Sequence, residues 1–318
     1  MSRRALVTGG AGFIGSHLVD RLLADSWEVA VLDDLSSGRP ENLDNAGRRV
    51  RFVEGDLCDE VTLRGAAEGV EVIFHQGAVP SVPRSIVEPV RTHGVNATGT
   101  LGVLEVAREC GVRRVVYAAS SSAYGDTPEL PKVETMPPNP RSPYALQKYS
   151  GEIYCRLYSE LYGLEAVALR YFNVFGPRQD PESEYAAVIP RFVTAALQGK
   201  PPTIYGDGEQ TRDFTFVSDA VEANVRAADS DEAVGQVMNV AGGRRTSLNE
   251  LLGEIGQLTG TRVEASYQEA RAGDVRDSFA DLGRAGELLG FRPRVSLRDG
   301  LAQTVEYFRK IEEGGSAR

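Results

Sequence analysis

The chain has 318 residues, 42% of them hydrophobic and 25% charged, a balance that argues for a globular protein and against a disordered one. Its 35 Lys and Arg against 45 Asp and Glu leave a net charge of −10, which argues against a nucleic-acid footprint. That charge still permits an anionic ligand, because a few arginines and helix N-termini can bind phosphate within an acidic protein.

The early basic pair Arg3-Arg4 precedes an apolar run that stops at Gly9. Such a run is too short for a signal-peptide core or a membrane span, so a cytoplasmic protein is expected. Residues 5–8 read as a strand leading directly into Gly9-Gly10-Ala11-Gly12-Phe13-Ile14-Gly15. Gly9, Gly12 and Gly15 have the GxxGxxG spacing of a dinucleotide turn, in which glycine lets a pyrophosphate approach a helix N-terminus. Residues 13–25 read as that helix. A second strand, 29–32, leads to Asp33, 18 positions beyond Gly15 and followed by Asp34. An acidic side chain there accepts from ribose hydroxyls and repels a 2′-phosphate, and no Arg or Lys follows until Arg39, so NAD is favoured over NADP. Strand 50–54 ends near Asp56-Leu57, which either contact the adenine or simply turn the chain.

Strands are also read at 72–76, 115–120 and 166–171, with helices at 97–110 and 144–162 among those between them. The alternation and the near-continuous apolar strands imply an α/β, Rossmann-type, doubly wound parallel sheet. Ser120, Ser121 and Ser122 close the fifth strand, where open parallel sheets form their ligand crevice. Tyr144 and Lys148 stand four apart on a helix opened by Pro143, so they share a face. A tyrosine activated by an ammonium and a positive nicotinamide ring can take a proton from a sugar hydroxyl.

After residue 171 the rhythm breaks. Residues 176–185 read as an irregular loop, Ser247 to Glu250 as a capping box, and Ser296 with Asp299 as the start of a helix ending near 308. The expected organisation is a cofactor region over 1–172, with late elements at roughly 215–240 returning to it. A smaller substrate region covers 173–214 and 241–313, and 314–318 is a frayed tail. Cys58, Cys110 and Cys155 lie far apart and read as free thiols. His17, His75 and His93 form no ligand pair, and no metal is expected.

These motifs resemble the extended short-chain dehydrogenase/reductase family, and within it the nucleotide-sugar 4-epimerases. The resemblance runs through VTGGAGFIGSHL at 7–18, AASSSAYGD at 118–126, SPYALQK at 142–148, LRYFNVFGPRQDP at 169–181, YGDGEQTRDF at 205–214 and GDVRDSFAD at 273–281. It implies a retained NAD, with Tyr144 as base, Lys148 on the nicotinamide ribose and Ser120 as the catalytic Ser/Thr. Ser37, Gly38, Gln76 and Ala78 join the expected cofactor set. The resemblance also implies that Asn173, Arg212 and Arg271 hold a diphosphate, Tyr205 a uracil and Asp274 its ribose. Ser121 and Ser122 would face the sugar.

QGAVPSVPRSI at 76–86 and QDPESEYAAVIP at 179–190 look like the N-acetylhexosamine subgroup. They place Ser81, Gln179, Ala187 and Val188 at the sugar. Strict glucose/galactose epimerases carry tyrosine where this chain has Ser278, a small residue that leaves room for an N-acetyl group. The expected reaction is reversible C4 epimerisation of a UDP-hexose through a 4-keto intermediate, with the N-acetyl sugars slightly favoured and the plain hexoses accepted.

A 4,6-dehydratase would carry Asp-Glu where this chain has Ser121-Ser122. A UDP-glucuronate 4-epimerase or decarboxylase stays open, since Arg84 or Arg178 can meet a carboxylate. So does a non-catalytic NAD-binding redox sensor. The resemblance further implies a homodimer through helices 97–110 and 144–162, in polysaccharide biosynthesis.

Overall fold

In the computed structural model the described residues are 2–181, 187–261, 264–269 and 275–315. The chain opens β1 (Arg4–Thr8), α1 (Phe13–Ala24), β2 (Glu28–Asp33), β3 (Val50–Glu54), α2 (Glu60–Ala67) and β4 (Val72–His75). Helical turns follow as α3 (Val82–Val87), α4 (Pro89–His93) and α5 (Thr100–Glu109), then β5 (Arg114–Ser120), α6 (Pro143–Tyr162) and β6 (Glu165–Tyr171). The later chain supplies β7 (Val174–Phe175), α7 (Val188–Leu197), β8 (Thr203–Tyr205), β9 (Thr211–Asp213), β10 (Thr215–Phe216), α8 (Val217–Ala227) and β11 (Val237–Val240). It ends with β12 (Arg245–Ser247), α9 (Leu248–Thr259), β13 (Ser266–Gln268), α10 (Gly283–Leu289) and α11 (Leu297–Gly315).

Among the described residues seven strands form one parallel sheet in the order β11-β6-β5-β4-β1-β2-β3. The central strands are buried along almost their whole length, because helices cover both faces. One face packs Leu18, Val19 and Leu22 of α1 with Ala220 and Ala223 of α8. The other packs Leu63 and Ala66 of α2, Leu104 and Ala107 of α5 and Cys155 and Tyr158 of α6. Beyond the strand ends, α7, α9 and α11 enclose a separate core around Phe192, Leu251, Ile255 and Leu301. Strand order reverses where β1 has β2 on one side and β4 on the other, and ligand crevices of open sheets lie at such points.

Two boundaries differ from expectation. The helix expected at 97–110 begins earlier: α4 runs through a π-helical segment, Gly94–Gly99, into α5. Its wide turn presents the buried Asn96, which accepts from Val79 N at 2.8 Å and donates to Gln147 Oε1 on α6 at 2.9 Å. The last helix runs past 308 to Gly315, extended by ion pairs of Glu306 with Arg309 and Lys310. Among the described residues no helix is long and apolar enough to cross a membrane.

Candidate active site

The glycine turn is built by close approach. Gly9 has φ +67°, and a Cβ there would stand 2.8 Å from the backbone of Gly77. A Cβ on Gly15 would lie 2.1 Å from the Gly9 carbonyl oxygen. α1 therefore starts hard against β1, and its N-cap, Gly12, has no side chain to satisfy the first helical N–H groups. Those groups, with Phe13 and Ile14, open onto a cleft of about 1470 Å³. A cradle that any side chain would fill, at an uncapped helix start, fits a pyrophosphate.

Asp33 ends β2 at the same cleft, with one carboxylate oxygen accepting from Ala11 N and the other from Leu35 N, both at 2.9 Å. Burial raises its pKa, and these two N–H groups oppose the rise. Gly38 backs the carboxylate, since a Cβ there would come within 2.6 Å of Asp33 Oδ1. Asp34, Ser37, Asp56, Leu57, Gln76 and Ala78 line the cleft, whereas Gly38 stands behind Asp33. Arg39 also lines it but is paired with Asp180 at 3.1 Å. These residues fit a dinucleotide with an unphosphorylated 2′-hydroxyl.

The serine turn, Tyr144 and Lys148 line the same cleft. Ser142 caps α6 by accepting from Ala145 N, Pro143 occupies its first turn, and Tyr144 N donates to Ser85 Oγ at 3.0 Å. Tyr144 is thus fixed where α6 meets the serine turn. Burial raises the Tyr144 pKa, and its contact with the Ser120 hydroxyl opposes that rise. Ser120 Oγ accepts from Ser122 Oγ at 2.8 Å and from Ser122 N at 3.2 Å.

Lys148 is 4% exposed and donates to the Ala118 carbonyl at 2.8 Å, with its Nζ 5.0 Å from the Tyr117 ring centroid. Burial pushes its pKa down to about 8, while Cys155 and Glu152 push back. In the chain without cofactor burial is the larger effect on the Tyr144 phenol, and Lys148 is held by a carbonyl of β5.

His75, behind Lys148, is buried between Thr8 Oγ1 at 2.8 Å and Thr100 Oγ1 at 2.9 Å. Burial, helped by the Lys148 charge, pushes its pKa from 6.5 down to about 3. Below pH 6.5 the unfolded chain binds a proton that the folded chain refuses, so stability present above that pH is lost as pH falls toward 3. Between pH 7.5 and 5.5 this group removes about 1.4 kcal/mol. Urea unfolding at both pH values should show wild type losing that much more stability than His75→Gln. Equal losses in the two proteins would refute the assignment.

The cleft continues to Ser81, Ser121, Asn173, Gln179, Ala187, Arg212 and Ser278. Asn173 holds φ +35° and donates to the Asp213 carbonyl at 3.0 Å. Arg212 donates to the carbonyls of Thr211 and Arg276. A second hollow of about 230 Å³ shares Asn173, Ala187 and Arg212 with the cleft and adds Val188, Tyr205 and Leu248. Gln179 Nε2 donates to the Val174 carbonyl, but Gln179 Oε1 is buried without a partner among the described residues, as is Nη1 of Arg178. Both residues line the cleft, so a bound ligand can meet these atoms. Arg178 also pairs with Asp20 at 2.7 Å, and Arg84 lies 3.6 Å from Glu88. Arg271 and Asp274 lie outside the described residues.

Sequence reasoning missed Asn96, Lys132 and the buried pair of Glu152 with Arg170. Lys132 is buried and lines the cleft, and nothing in its local pattern distinguishes it from a surface lysine. Glu152 did leave a signal: it extends the four-residue spacing of Tyr144 and Lys148 onto the same helix face.

The model of the NAD dependent epimerase/dehydratase family matches residues 5–241. A UDP-glucose 4-epimerase of Mycolicibacterium smegmatis is 47% identical over 310 residues, 96% of this chain and 98% of that one. The UDP-N-acetylglucosamine 4-epimerase of Methanobrevibacter ruminantium, solved with UDP-N-acetylmuramic acid, superposes with a TM-score of 0.94. It is 40% identical and is matched over 98% of this chain and 99% of its own. The UDP-glucose 4-epimerase of Thermus thermophilus, solved with NAD, gives a TM-score of 0.89 at 39% identity, over 96% of this chain and 99% of that one.

Proposed function

The chain belongs to the NAD dependent epimerase/dehydratase family, and we propose that within it the protein interconverts UDP-hexoses at C4, favouring the N-acetylhexosamines. The observation that carries this reading is a single cleft. It runs from Gly9, Gly15 and Asp33 past Ser120, Tyr144 and Lys148 to Asn173, Arg212 and Ser278.

NAD would be held by the N–H groups at the start of α1, by Asp33 at its adenosine ribose and by Lys148 at the other ribose. When bound, NAD⁺ supplies a reversible hydride acceptor and a positive ring charge, which favours the Tyr144 phenolate. Tyr144 takes the proton of the 4-hydroxyl and later returns it, a general-base role. Ser120, already in contact with the phenol, steadies the same oxygen. Asn173 and Arg212 hold the diphosphate, and Tyr205 in the adjoining hollow takes the base. UDP stays anchored while the 4-keto hexose turns about its diphosphate linkage and presents its other face.

Ser278 sets the volume for that turn. It is half-buried in the cleft wall, and its backbone N–H donates to the Thr211 carbonyl at 3.1 Å. A tyrosine there would occupy space swept by an N-acetyl group. Ser278→Tyr should lower kcat/KM for UDP-N-acetylglucosamine about fivefold to over a hundredfold relative to UDP-glucose, because overpacking costs about 1–3 kcal/mol or more. Equal losses on the two sugars would remove the preference for N-acetyl substrates. Turnover of UDP-glucuronate alone in the same assays would replace the hexose reading with the uronate one.

We also propose a homodimer through 97–110 and 144–162, supported by the exposed Leu146, Leu161 and Tyr162 on α6. Light scattering should give twice the chain mass, and a monomer at assay concentration would exclude it.

A further inference from the structure

One turn beyond Lys148 on α6 stands Glu152, 5% exposed. It accepts two bonds from Arg170 on β6, Nε to Oε1 at 2.9 Å and Nη2 to Oε2 at 2.7 Å. Burial raises the Glu152 pKa, and this bidentate bond to a guanidinium opposes the rise and favours the carboxylate. The guanidinium covers the Tyr124 ring at 4.6 Å, and Tyr124 Oη donates to Asn239 Oδ1 on β11 at 2.7 Å. Tyr124 ends the short 3-10 turn Ser121–Tyr124, whose N-cap is Ser120. The pair thus joins the helix of Tyr144 and Lys148, the serine turn and β6. Replacing a buried ion pair by apolar side chains of similar volume is often neutral or stabilising. Stability alone is therefore a weak reason for this one.

We propose that Glu152, held by Arg170, is a positioning residue for Lys148 and supplies the charge that keeps it an ammonium. The proposal rests on the roles given to Tyr144 and Lys148 above. The groups that face Lys148 are His75 from β4, Tyr117 from β5, and Tyr144, Glu152 and Cys155 from its own helix, with Arg170 of β6 paired to Glu152. His75 and Cys155 are kept neutral by burial, and Tyr117 by the same effect. In the free enzyme Glu152 is the one carboxylate among these groups. It favours the charged form of Lys148 against the desolvation that opposes it.

The test compares wild type, Glu152→Gln and the double variant Glu152→Gln/Arg170→Met. Each is measured for the pH profile of kcat, the melting temperature and the NAD released on extraction. If Lys148 must be an ammonium, kcat falls as pH rises through its pKa. Removing the carboxylate lowers that pKa, so the alkaline limb should move about one pH unit toward neutral in Glu152→Gln.

The double variant removes the orphaned guanidinium as well, so its melting temperature should recover toward wild type while its limb stays displaced. A limb that returns with the melting temperature, or one that never moves, would overturn the proposal by leaving the pair a merely structural role. Should Glu152→Gln fail to fold, the double variant carries the test. Lys148→Ala at wild-type rate would instead sink the underlying mechanism, an outcome distinct from an unmoved limb.

Discussion

Exchanging Tyr144 for phenylalanine should lower kcat about 10²–10⁴-fold, the usual contribution of a general base, while leaving fold and retained NAD in place. The substitution is narrow. The ring still fills the cleft wall, and the backbone N–H of residue 144 still reaches Ser85 Oγ. Only the phenolic oxygen against Ser120 is lost. Burial raises the phenol's pKa in the chain alone, so the deprotonated form depends on positive charge arriving with the cofactor. The activity of wild type should accordingly rise with pH on the acid side of its profile, and the residual activity of Tyr144→Phe should lack that limb. A Tyr144→Phe enzyme within a factor of a few of wild type would remove the proposed mechanism, whatever its pH profile.

A single methyl group at Gly15 should have the largest effect on cofactor retention. The added Cβ would lie 2.1 Å from the Gly9 carbonyl oxygen and 2.9 Å from Gly10 Cα, with backbone on every side and no flexible group to yield. α1 must then lift from the turn, carrying away the N–H groups that would bind the pyrophosphate. Forced overpacking costs about 1–3 kcal/mol or more, so NAD affinity should fall about fivefold to over a hundredfold and the melting temperature should drop. Gly12→Ala meets only the Gly9 oxygen, at 3.1 Å, and should be milder. Gly102→Ala, with nothing within 4 Å of the new Cβ, should be neutral or slightly stabilising. Extracted nicotinamide and thermal melting read all three. Full NAD retention in Gly15→Ala would contradict the close-packed turn.

The parts of this molecule that were legible in sequence are those governed by local periodicity. The six strands read in the first half lie within one or two residues of their observed bounds, because buried parallel strands are short, apolar and β-branched. The glycine turn, Asp33, the serine cluster and the Tyr-Lys pair all reach one cleft, since topology places strand ends together. The π-helical segment at Gly94–Gly99 was not legible: it depends on Asn96 bonding to Val79 and Gln147, partners 17 and 51 residues away. The hold on Lys148 was not legible for a similar reason. Spacing on a helix gives the face, but the Ala118 carbonyl that captures the ammonium belongs to a strand 30 residues earlier. The second hollow around Tyr205 is assembled from β7, α7, β8, β9 and α9, whose short segments carry little periodic signal.

The edge of the main sheet has a consequence for synthesis. β6 pairs on its outer side with β11, and Val237 lies 66 positions beyond Tyr171. On a ribosome adding about 5–20 residues per second, β6 emerges with an unpaired apolar edge for roughly 3–13 s before its partner exists. An open edge of that kind templates pairing with other chains. The nascent protein is thus most exposed to aggregation, and most open to a chaperone, while the segment that brings Asn173, Ala187 and Arg212 to the cleft is being made. For the same reason a fragment ending near residue 172 keeps the dinucleotide turn but loses the strand that seals its sheet. The two regions cannot be exchanged between proteins as simple consecutive blocks.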